Sequence, residues 1–77
     1  MNMKLEEFVT AFADMFVDTP IEEFSASTDF KELDEWSSLL SLSLIALVKK
    51  NFERKITGKE IRNCETIEDL YKLIQTK

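Results

Sequence analysis

The chain has 77 residues, 44% of them apolar, and a formal net charge of −5. That is enough material for one small globular core and for no more than one domain. It contains no His and one Cys, which excludes an internal disulfide, a His/Cys zinc set and the commonest general base.

In chain order, Leu5, Phe8, Val9, Phe12, Met15 and Phe16 recur at i, i+3, i+4 spacing, which predicts an amphipathic helix over about 3–17. Asp18-Thr19-Pro20 is expected to end it, because Pro lacks an amide donor and disfavours αR geometry in its predecessor. Residues 20–36 hold no sustained period. They read as a long loop, with one helical turn at 20–24, pinned to the core by Ile21, Phe24, Phe30 and Leu33. A loop of this length is usually functional.

The run Leu39–Val48 reads "LLSLSLIALV". Its centre alternates with period two, a strand signal, but no second strand or hairpin turn exists to pair with it. A helix over about 38–53 is expected instead, apolar almost all round, with Leu44, Ile45, Val48 and Phe52 as core. Such a helix is either the most buried element or offers apolar side chains to a partner. Lys49 and Lys50 suit its C-terminal dipole. Thr57 with Glu60 is a capping box that opens a short helix over about 58–63. Thr66 with Asp69 repeats the pattern and opens a last helix over about 67–75, with Ile67, Leu70, Tyr71 and Ile74 on one face. The sum is an all-α bundle of three longer helices and one short one.

Charge is unevenly spread. Residues 1–38 hold ten acids and two bases, net −8, whereas residues 39–77 hold five acids and eight bases, net +3. The acidity argues against a nucleic-acid binder; the acidic half, which ends at the Ser37-Ser38 pair, either steers basic partners there or is an ordinary solvated surface. No run approaches the roughly 18 apolar residues of a membrane span. The opening "MNMKLEEF" lacks a basic region followed by an apolar one, so a signal peptide is not expected and a cytoplasmic protein is. Cys64 reads as a packing residue rather than a reactive thiol.

Ser37 and Ser38 admit two readings. One serine suffices as a helix cap, and the second then falls in the first turn. There the helix dipole and unpaired amides favour a phosphate-linked group without requiring one.

Taken together, the long first helix, the long loop with Thr28-x-Phe30, the Ser-Leu pair opening the second helix, Phe52 fourteen residues after Ser38, Ile56, the Thr57–Ile61 turn and "TIEDLYKLI" resemble the acyl carrier protein family. The resemblance covers essentially the whole chain. It implies a four-helix bundle of acyl-carrier type, residues 1–77 forming a single carrier domain. It implies 4′-phosphopantetheine attached to Ser38, carrying an acyl group as a thioester for a specialised fatty acid, polyketide or related pathway. The chain is then no enzyme but a group carrier, with no catalytic or metal residues. The partners implied are a phosphopantetheinyl transferase and acyl-transferring or acyl-activating enzymes, met by a monomer.

Leu39, Leu42 and Ala46 match family positions that meet partner enzymes, and a 100° step puts them within about a 60° sector. Trp36 and Glu35 are expected beside them as docking residues, Trp36 also being a candidate anchor that closes the loop over the bundle. Ser37 stands where the family has Asp, the family's Gly before the serine is absent, and Leu40, Ser43, Lys49 and Lys50 fill places that are often acidic. The alternative is a non-carrier helical adaptor that binds proteins through its exposed leucines.

Overall fold

The computed structural model describes residues 3–77. Four helices follow one another: α1 Leu5–Ala13, α2 Ser38–Phe52, α3 Gly58–Asn63 and α4 Ile67–Gln75. The described residues contain no strand, so the period-two run at the centre of α2 is helical, as expected. Two single 3-10 turns, Ile21–Glu23 and Phe30–Glu32, punctuate the segment between α1 and α2.

α1 is shorter than the 3–17 its periodicity predicts. Its last regular bond runs from the Asp14 amide to the Thr10 carbonyl, and the chain then tightens: Met15 donates to the Phe12 carbonyl and Phe16 to that of Ala13, three residues back rather than four. Pro20 is not the terminator. It precedes the first 3-10 turn, and the amides of residues 17–19 have already left the helix for a side chain farther along the chain.

Three of the four expected loop anchors hold. Phe24 and Phe30 are buried and Leu33 packs at the margin of the core, but Ile21 is 57% exposed. One side chain reaches inward at that corner, and it is Phe24, whose ring lies 4.9 Å from Phe16 and 6.2 Å from Phe12. The loop is held by its backbone as well. The first-turn amides of α4, which have no partner within their own helix, donate to loop carbonyls: Ile67 to Thr28 at 3.2 Å and Glu68 to Ala26 at 2.9 Å. Lys31 Nζ reaches the Arg62 carbonyl at the end of α3, 2.8 Å away.

Capping sets the starts of the later helices. Ser37 Oγ accepts from the Leu40 amide at the start of α2. Thr57 and Glu60 exchange bonds of 2.9 and 3.2 Å at α3. Thr66 and Asp69 do the same at α4, where each bond is 3.1 Å. The core joins Phe8 and Phe12 of α1, Phe30 of the loop, Leu44, Val48 and Phe52 of α2, Ile61 of α3, and Ile67, Leu70 and Ile74 of α4. Ile45, expected in the core, packs at its edge. Tyr71 donates its hydroxyl to the Met3 carbonyl, which ties α4 to the start of the chain.

Candidate functional site

α2 begins with two serines in different roles. Ser37 is the N-cap: its backbone is extended and its oxygen is directed at the Leu40 amide. Ser38 is the first helical residue and is exposed. Among the described residues its hydroxyl takes no hydrogen-bond partner, and the amides of Ser38 and Leu39 find no backbone acceptor. No acid lies in the first turn of α2. A free hydroxyl beside open amides at the positive end of a fifteen-residue helix is suited to carrying a phosphate ester.

α2 buries Leu44, Val48 and Phe52 and turns its opposite stripe outward. Leu39 is 72% and Leu42 64% exposed, and Ala46 is exposed beside them. These three residues continue along the helix from Ser38 to Lys49 and Lys50, both also exposed. The apolar strip expected from the family resemblance is therefore present on the surface and not absorbed into the core.

Trp36 and Glu35 are both turned toward α1. Trp36 is half-buried, its ring edge-on to Phe30 at 4.9 Å and stacked with Phe12 and Phe16 at 6.1 and 6.4 Å. That is the geometry of an anchor. Glu35, expected as a docking acid, has both carboxylate oxygens engaged within the chain. Oε2 accepts from the Val17 amide at 2.8 Å, and Oε1 accepts from the Asp18 and Thr19 amides and the Thr19 hydroxyl at 3.0, 3.1 and 2.8 Å. The Val17 bond is the largest influence holding its carboxyl below the ordinary value near 4.5. Burial pushes the other way, and the Thr19 hydroxyl and the other two amides add to the lowering.

Sequence reasoning missed this clamp, and no sequence signal marks it. Donors and acceptor are 16 to 18 residues apart in segments without periodicity. Glu35 also lines an acidic cleft of about 380 Å³ with Asp18, Glu23 and Asp34, from which Ser38 is absent.

Cys64 is buried, and burial raises its thiol pKa, with the charge of Asp69 adding to the effect. It is a packing residue, as the sequence suggested. Among the described residues no three acids, Cys or His converge in a way that would hold a metal ion.

A family model described as "Phosphopantetheine attachment site" matches residues 7–74. No curated protein and no solved structure matches the chain. The match runs from within α1 to within α4 and takes in the whole loop between α1 and α2. Carriers of this kind are loaded and unloaded by other enzymes and do no catalysis themselves. The exposed serine at a helix start fits the group such a domain takes, and the chain belongs to the phosphopantetheine attachment-site family, the carriers that bear 4′-phosphopantetheine covalently.

Proposed function

We propose that Ser38 is the attachment residue and that the protein is an acyl carrier. One observation supports this above the rest: of the two serines, Ser37 is used as the cap, while Ser38 has its hydroxyl exposed and without a partner among the described residues. In the loading step, Ser38 Oγ attacks the phosphorus of coenzyme A that bears the pantetheine arm. The new O–P bond forms as the pyrophosphate bond breaks. Adenosine 3′,5′-bisphosphate leaves, and the hydroxyl proton passes to a base of the transferase. When bound, the arm supplies a terminal thiol that holds an acyl group as a thioester.

This chain's own contribution is to present and to tether. The open amides of Ser38 and Leu39 would be available to the ester phosphate, and the N-terminal dipole would favour its charge. Leu39, Leu42 and Ala46 form an apolar strip for the transferase and for acyl-transferring or acyl-activating enzymes. Tethering raises the effective concentration of the cargo at each docked enzyme. In this reading the carrier is a cytoplasmic monomer serving a specialised fatty acid, polyketide or related pathway. Lys49 and Lys50 on α2, in place of acids, support partners distinct from those that select an acidic second helix.

The test is intact mass after incubation with coenzyme A and a broad-specificity phosphopantetheinyl transferase. One added phosphopantetheinyl group is expected, lost in Ser38→Ala and kept in Ser37→Ala. Addition to Ser37 refutes the assignment. No addition with any transferase leaves the adaptor reading of the exposed leucines.

A further inference from the structure

Two adjacent side chains just ahead of the attachment serine grip the same part of the chain by different means. Trp36 stacks on Phe12 and Phe16, and Glu35 binds the amides of residues 17, 18 and 19. The Trp36 amide donates to the Leu33 carbonyl at 3.0 Å, which closes the turn that carries Glu35. From Glu35 the chain runs through Trp36 and the cap Ser37 directly into Ser38. The position of the Ser38 hydroxyl relative to α1 is therefore set across three residues by these contacts.

Stacked rings resist separation but tolerate sliding. A carboxylate whose two oxygens divide four donors does not, because each donor has a direction. The donors need it as well. Residues 17–19 lie beyond the end of α1, so their amides have no helical acceptor, and Glu35 replaces the missing carbonyls.

We propose that Glu35 is a positioning residue for loading of Ser38: its carboxylate locks the chain leaving α1 to the chain entering α2, and so holds the hydroxyl in register with the docking strip. The proposal rests on Ser38 being the attachment residue. It assigns Glu35 a role within the molecule, not one at the partner interface. A displaced hydroxyl reacts more slowly once docked, whereas the untouched strip of Leu39, Leu42 and Ala46 still docks.

The test uses the full chain, coenzyme A and a broad-specificity phosphopantetheinyl transferase, with kcat and KM measured for wild type, Glu35→Ala, Glu35→Gln and Thr19→Val. Glu35→Ala is expected to lower kcat about tenfold while KM for the carrier stays within about twofold. Glu35→Gln retains an oxygen for the three donors now on Oε1 and is expected to fall between Glu35→Ala and wild type. Thr19→Val, which removes a single donor, is expected to lower kcat least.

Amide exchange and resonance positions provide a readout that needs no transferase. In Glu35→Ala the amides of Val17, Asp18 and Thr19 should exchange faster and those of Ser38 and Leu39 should shift. Unmoved Ser38 and Leu39 resonances overturn the proposal whatever the loading result. Wild-type kcat in a folded Glu35→Ala, or a change confined to KM, overturns it as well. If Glu35→Ala is unfolded, Glu35→Gln decides by the same criteria. Wild type that is never loaded, with the Ser38 and Leu39 amides shifting as expected, counts instead against Ser38 as the attachment residue.

Discussion

Truncating Leu39 or Leu42 to Ala separates docking from folding. Covering a whole Leu side chain is worth about 2 kcal/mol. Leu39 is 72% exposed, so a partner that covers it gains at most about 1.5 kcal/mol from that residue. Ala keeps part of this surface, which leaves a loss of about 1 kcal/mol and a five- to tenfold weaker complex, roughly. Leu42, at 64% exposed, should lose slightly less. Folding should barely respond, because little of either side chain is buried and Ala is at least as good a helix former; the expected change is within about 0.5 kcal/mol. Leu44→Ala on the same helix is the control. Leu44 is 0% exposed, and its truncation should cost about 2–5 kcal/mol. For a 77-residue chain with roughly 4–12 kcal/mol of stability, that is a large share. The assay pairs a thermal melt with KM and kcat for phosphopantetheinyl transfer. KM should rise five- to tenfold, roughly, with kcat held. Unchanged KM in both variants, or melts that fall as far as that of Leu44→Ala, refutes the reasoning.

Other consequences can be checked directly. Glu53 ends α2 with φ of 56°, left-handed backbone that Gly adopts without steric cost, so Glu53→Gly should raise stability by about 0.5–1 kcal/mol in urea unfolding. Glu35, Glu60 and Asp69 all have folded-state pKa values below ordinary ones, the first cause being the Val17 amide, the Lys77 ammonium and the Thr66 amide respectively. A depressed folded value means stability that is complete above the unfolded pKa, 4.5 for Glu and 3.8 for Asp, and lost as pH falls through the folded values. The urea midpoint should therefore decline on acidification from about pH 5, and Glu60→Gln or Asp69→Asn should flatten that decline. Cys64 is buried, so an aromatic disulfide reagent should find no fast-reacting thiol before loading and one afterwards, with Ser38→Ala showing none in either case.

The elements most legible in the sequence are those whose ends are decided locally. α3 and α4 start where Thr57 and Thr66 predict, because each cap and its acidic partner lie within one turn. The stop of α1 was not legible. The bonds tighten at Met15 and Phe16, and the amides of residues 17–19 beyond them turn to a carboxylate 16 to 18 residues away. Ile21 misled for a related reason: apolar character alone does not say which of two neighbouring side chains a corner turns inward, and Phe24 took that place. At the site, the family resemblance picked out Leu39, Leu42 and Ala46 and helical spacing put them on one strip, but composition did not say whether it faced core or solvent. Glu35 was expected at the docking surface. Only the tertiary path of the loop gives it four donors.

The bonds from Ile67 and Glu68 to the carbonyls of Thr28 and Ala26 have a consequence for how the molecule opens. Neither segment can come away without exposing polar groups of the other, so the long connection and the C-terminal helix should unzip in one event. Two amides at the start of the last helix thus serve as remote reporters on the mobility of a segment some forty residues earlier in the chain.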